Sequence, residues 1–267
     1  MAIAKFRINP IAKEVQDTFD GIYAQVTSFV QNPNSAINGM IVSGDAGTGK
    51  TYTVKKALVD TGHQKNVEYI KGGKITAASL YVKLYLNRAK HRIVILDDCD
   101  IIHHNEKRQI VPMLLGAAEL GQNREVSWET ARKNPLMEEF NVPHQFTFEG
   151  SIIWITNDRK DDIGKAIKQW KNAILSRFNF AECKFTDEQK FMYTMHLIEN
   201  IDMLGTNCQE YAGGYPEEII DQAHDYMSAN YRSLVEVTPR QAIKIADIMH
   251  HNQDATLRKT MLRQLWK

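Results

Sequence analysis

The sequence is poor in several features that would have placed it elsewhere. Cysteine is scarce: Cys99, Cys183 and Cys208 are the only three in 267 residues. Odd in number, scattered and without C-x-x-C spacing, they argue against a disulfide framework and for a reducing cytoplasm. Proline numbers seven, and neither an internal repeat nor a low-complexity tract interrupts the chain, which sets aside repeat arrays and disordered classes. No apolar run is long enough to cross a bilayer, and the start, Met1-Ala2-Ile3-Ala4-Lys5-Phe6-Arg7, lacks the apolar stretch of a signal peptide. A membrane partner is therefore not expected. An excess of one charge is missing too: the net charge is +1, so any nucleic-acid surface would have to be a local basic patch. The pairs His103-His104 and His250-His251 lack the i, i+4 spacing of a helical zinc site, and none is expected there.

What remains is an ordinary globular composition, 43% hydrophobic and 24% charged, enough for a sizeable core without a disulfide or metal staple. Ile11, Val15, Phe19, Ile22, Val26 and Phe29 recur at helical spacing behind Pro10, which predicts a helix to Val30. Met40–Ser43, Val67–Ile70, Ile93–Asp98 and Ser151–Asn157 read as strands. Helices are expected from Lys50 to Asp60, behind the Thr76 cap, and from Asn105 to Leu120 with a kink at Pro112. Such alternation predicts an α/β fold with a parallel sheet and ligands at the strand C-termini. From Thr186 the pattern is all helical, opened by a Thr186-x-x-Gln189 capping box and resumed at Pro216, at Thr238-Pro239-Arg240-Gln241 and at Asp254. The boundary is expected near 184–186, giving an α/β domain over 1–185 and a helical lid over 186–267.

Two motifs carry chemistry. Gly44-Asp45-Ala46-Gly47-Thr48-Gly49-Lys50-Thr51 fits G-x-x-x-x-G-K-[ST] at every fixed position. Its glycines let backbone N–H groups wrap a phosphate, Lys50 would reach the outer phosphates, and the Thr51 hydroxyl would sit on Mg²⁺. With Tyr52 next on the helix, these residues form the candidate ATP-binding set. Downstream, Asp97 and Asp98 end an apolar strand. Asp97 would hold Mg²⁺ through water, and Asp98 would polarise the attacking water.

With these motifs in place the chain resembles the AAA+ ATPases over nearly its whole length, most of all the small phage-encoded members, which would place it in a host cytoplasm. The resemblance implies a P-loop sheet with a C-terminal helical lid, ATP and Mg²⁺ as ligands, and a homo-oligomeric ring or spiral, with a hexamer favoured. Asn157 matches the sensor-1 position. Ala173-Ile174-Leu175-Ser176-Arg177-Phe178 is similar to the S-R-F box, which makes Arg177 an arginine finger for a neighbouring subunit. Arg240 matches sensor 2, contacting the γ-phosphate from the same subunit. One departure stands out: most active members carry glutamate where this chain has the shorter Asp98.

For the substrate, Lys71-Gly72-Gly73-Lys74 is expected as a mobile positive loop able to follow a phosphate backbone. The stretches 124–128 and 145–149 are expected to pair as a hairpin with Arg132 and Lys133 near its tip, a contact for DNA or a partner protein. Trp128 is expected in the core, and Asp161-Asp162 in a solvated loop. The favoured reading is a DNA-associated motor, helicase loader or remodeller. A protein-remodelling ATPase, a low-turnover nucleotide-gated switch and a P-loop kinase stand as rivals.

Overall fold

The computed structural model describes residues 8–32, 35–121, 124–129, 134–208 and 211–267. In chain order the elements are α1 (Pro10–Gln31), β1 (Gly39–Gly44), α2 (Lys50–Asp60), β2 (Val67–Gly73), α3 (Ala77–Leu86), β3 (Ile93–Cys99), α4 (Lys107–Ala117), β4 (Glu125–Ser127) and α5 (Pro135–Glu139). They continue with β5 (Gln145–Thr147), β6 (Ser151–Thr156), α6 (Lys160–Ala166), α7 (Lys171–Arg177), β7 (Phe178–Cys183), α8 (Asp187–Ile201), α9 (Glu217–Asn230), α10 (Pro239–His251) and α11 (Ala255–Arg263). By contacts the chain divides into two compact units, one of 20–45 and 50–184, the other of 46–49, 185–267 and the N-terminal part to Phe19. The first half of α1 thus groups with the C-terminal helices. No described helix is long and apolar enough to cross a membrane.

The first unit is built on a five-stranded sheet in the order β2-β3-β6-β1-β7, every pairing parallel. The apolar runs explain the order. Every residue of β1 and β6 is buried, as befits central strands covered on both faces, while β2 carries half-exposed residues and lies at an edge. Trp154, 1% exposed on β6, packs into a core with Leu80, Leu96, Ile110 and Ile152. Because all strands run the same way, their C-terminal ends share one edge of the sheet. There β3, β6 and β1 stand side by side, so the residues that follow them are neighbours by topology alone.

Two expectations change here. Lys71–Gly73 is strand rather than loop: β2 continues to Gly73, with Lys71 opposite Asp97 and Gly73 opposite Cys99. An edge strand tolerates the glycines because only one side must pair. Asp161 and Asp162 fall in the first turn of α6, where the helix dipole favours acids, not in a loop. The hairpin forms as β4 and β5, antiparallel, with Val126 opposite Phe146. A short helix, α5, interrupts its return, and Arg132 and Lys133 lie outside the described residues. Trp128 is half-buried with its ring 5.5 Å from that of Tyr81, a packing role.

In the second unit, α8 opens with the full capping box, Thr186 accepting from Gln189 N–H while the Gln189 side chain accepts from Thr186 N–H. α10 opens on Pro239, with the Thr238 hydroxyl accepting from Gln241. Leu204, Ala223, Met227, Ile245 and Ala246 fill its own apolar core.

Candidate functional site

The phosphate-loop sequence leaves β1 through a turn that glycine alone fits. Gly44 has φ +132°, and a Cβ there would lie 2.2 Å from the Cys183 carbonyl oxygen. The chain then rises over Ala46, Gly47 and Thr48 and re-enters as α2 at Lys50. Lys50 is only 5% exposed, and its ammonium donates to the carbonyls of Gly44 and Asp45, each at 2.8 Å, and to Asn157 Oδ1 at 3.0 Å. A cation so desolvated is tolerated because oxygens surround it. The Asp45 carboxylate meets Arg159 Nη2 at 3.3 Å.

Beside this lies the acid pair. Asp97 is 2% exposed and accepts from the Thr51 hydroxyl at 3.0 and 3.2 Å to its two oxygens. Its Oδ2 also accepts from the Tyr69 hydroxyl on β2. Burial raises the Tyr69 pKa, and the hydrogen bond to Asp97 raises it further, so the phenol keeps its proton. Asp98 is exposed and takes the left-handed conformation, φ +53°, which costs a non-glycine residue about 1–2 kcal/mol. Its Oδ1 accepts from Asn157 Nδ2 at 2.8 Å. The Asn157 amide therefore joins two groups, accepting a hydrogen bond from Lys50 at one end and donating one to Asp98 at the other.

A hydroxyl and a buried carboxylate in contact are hard oxygen donors of the kind Mg²⁺ takes, so Thr51 and Asp97 fit that ion. A cation, a metal-ready oxygen pair and an exposed carboxylate, ranged along one strand edge beside a helix N-terminus, can hold a polyphosphate and orient a water against it.

Tyr52, Arg240 and Arg177 complete the expected set. Tyr52 is 45% exposed on α2 and stands outside the hydrogen-bonded network. Arg240 is exposed in the first turn of α10. A Cβ added to Gly47 would lie 2.9 Å from Thr238 Oγ1 and 3.2 Å from Arg240 Cβ, so the root of Arg240 sits against the crest of the glycine loop. Arg177 ends α7, at the opposite edge of the sheet, where Phe178 pairs with Gly39 and not with Gly44. Five strand residues, about 16 Å, separate those levels. There its guanidinium donates to Glu119 Oε2, from Nε at 2.8 Å and from Nη2 at 2.5 Å. Arg177 in turn lowers the Glu119 pKa, chiefly through that hydrogen bond.

Sequence reasoning missed Tyr69, Arg159 and Glu119. None belongs to a local motif. Each meets its partner only through the sheet register or a tertiary contact.

Residues 40–180 match the ATPase family associated with various cellular activities (AAA). An uncharacterised 36.7 kDa protein from the nrdC–mobD intergenic region of Enterobacteria phage T4 is 30% identical over 220 residues, 81% of this chain and 65% of that protein. The chain thus spans a little under two thirds of that relative's length. Among solved structures, the Thermotoga maritima RuvB Holliday junction branch migration motor superposes with a TM-score of 0.50 at 12% identity, over 92% of this chain and 69% of that one. Domain III of the replication initiation protein DnaA from Thermotoga maritima gives 0.48 at 13% identity, over 98% and 99%.

Proposed function

From the premise that the chain belongs to the AAA family of ATPases, we propose that it hydrolyses ATP at interfaces between copies of itself, in a ring or spiral with a hexamer favoured, and that it acts on DNA. The observation that carries hydrolysis is the convergence of Lys50, Asn157, Asp98, Thr51 and Asp97 on one sheet edge. Backbone N–H groups from Gly44 to Thr51, with Tyr52 beyond, would surround the phosphates, and Lys50 would exchange its carbonyl partners for phosphate oxygens. Thr51 and Asp97 would hold Mg²⁺, which when bound neutralises charge on the phosphate oxygens. Asp98 would take the proton of the attacking water while Asn157 holds its carboxylate. Arg240 would approach from the same subunit. Arg177 lies too far from its own P-loop to serve it, which supports its use by a neighbour.

DNA is favoured by the fold shared with RuvB, a Holliday junction branch migration motor. The switch reading has an observation of its own: Asp98 is short, and Asn157 already engages it.

Phosphate release measured over a range of protein concentrations, alone and with single-stranded DNA, duplex DNA or an unfolded polypeptide, tests this. The rate per subunit should rise with protein concentration and with DNA. A concentration-independent rate sinks the assembly, and stimulation by polypeptide alone turns the substrate from DNA to protein. A single burst without cycling indicates the switch.

A further inference from the structure

We propose that Tyr69 is a positioning residue for the Mg²⁺ site, orienting the Asp97 carboxylate; this rests on the nucleotide reading above. Asp97 has two oxygens and two hydroxyl neighbours. Thr51 Oγ1 lies 3.0 Å from Oδ1 and 3.2 Å from Oδ2, while Tyr69 donates to Oδ2. With Oδ2 engaged by the phenol, the carboxylate cannot turn freely, and Oδ1, the oxygen nearer to Thr51, would be left for Mg²⁺.

The phenol is itself held. Tyr69 lies on β2 opposite Ile95 of β3, which fixes its backbone beside the strand that bears Asp97. Lys55 Nζ, from α2, stands 4.6 Å from its ring centroid, a cation–π contact on the helix that also carries Thr51. The ring is thus braced from the same helix and the same strand pair that supply the two metal oxygens. Metal-binding carboxylates depend on such hydrogen-bond partners, whose loss weakens metal affinity about 10–100-fold. The placement also ties the site to the edge of the sheet. Two residues beyond Tyr69, Lys71 pairs with Asp97 itself and leads to the exposed Gly72, Gly73 and Lys74.

The test is binding of a fluorescent ATP analogue, in EDTA and along a Mg²⁺ titration, for wild type, Tyr69→Phe and Tyr69→Met. Both variants lack the hydroxyl, so either folded one suffices. Affinity in EDTA should match wild type, showing an intact phosphate loop, while the Mg²⁺ concentration at half effect should rise about 10–100-fold. An unmoved Mg²⁺ midpoint in a variant that binds normally in EDTA overturns the inference alone. An equal loss in EDTA and in Mg²⁺ overturns it too, since a general weakening would explain the effect. Wild type that binds no nucleotide instead overturns the function on which it rests.

Discussion

At the C-terminal edge of the sheet the groups proposed to handle phosphate lie together and are linked to one another. Lys50 is tied to Asn157, Asn157 to Asp98, Thr51 to Asp97 and Asp97 to Tyr69. At the N-terminal edge stands Arg177, the residue type most useful for stabilising the spread charge of phosphoryl transfer, paired with Glu119. Parallel strands force this separation, because Phe178 opens β7 at the level of Gly39 while the glycine loop leaves at Gly44. The first edge is assembled by folding. On the proposed reading the second presents an arginine for another molecule, and a sheet with all five strands parallel would in that way make catalysis depend on assembly.

The sharpest way to break that contrast is Arg177→Ala. If the arginine serves a neighbour, steady-state phosphate release should fall by about 10³–10⁵-fold, while affinity for ATP in the isolated subunit is retained. Mixing the variant with a Lys50→Ala chain should restore part of the activity, since one partner offers the arginine and the other the loop. Full activity in Arg177→Ala would show that the second edge has no part in hydrolysis.

Next in size is Asp98→Asn, which keeps the hydrogen bond from Asn157 within reach but removes the base. ATP binding should persist and turnover should drop by about 10²–10⁴-fold. An unchanged rate would move the activation of water elsewhere. The same variant separates motor from switch: if wild type already shows only one burst of hydrolysis, the short carboxylate is the reason to examine first, and Asp98→Glu should then start cycling.

How much of this was readable in the chain differs between the two edges for the same physical reason. The glycine loop and the Asp97-Asp98 pair are local patterns on consecutive residues, and an apolar run ending in acids identifies a buried parallel strand without tertiary knowledge. The tie from Tyr69 to Asp97 and the tie from Arg177 to Glu119 span 28 and 58 positions, and depend on which strands become neighbours. Nothing in the spacing of single residues encodes that. Lys71–Gly73 misled for a related cause. The Gly72-Gly73 pair reads as a breaker, and both do adopt positive φ, +63° and +78°, yet β2 runs on through them and Gly73 pairs with Cys99 of β3. The hairpin was legible because alternation in two short segments survives even where a helix, α5, is inserted between them.

The smallest effect expected is at the first edge's own ion pair. Arg159 and Asp45 lie 3.3 Å apart, with the arginine side chain 53% exposed and the acid 24%. Pairs this accessible contribute about 0.2–1 kcal/mol, less than about a fivefold change in an equilibrium. Asp45 nevertheless sits inside the glycine loop, where an uncompensated carboxylate would repel a triphosphate. Arg159→Gln should therefore raise KM for ATP by less than about fivefold and leave kcat alone. The difference should shrink in high salt, where exposed charges are screened. In an Asp45→Asn background the same change should have no effect on KM, because the charge that Arg159 offsets is gone. Should Arg159→Gln instead lower kcat while KM stays fixed, Arg159 would act on the transition state, and the first edge would hold an arginine of its own in place of the one assigned to the neighbour.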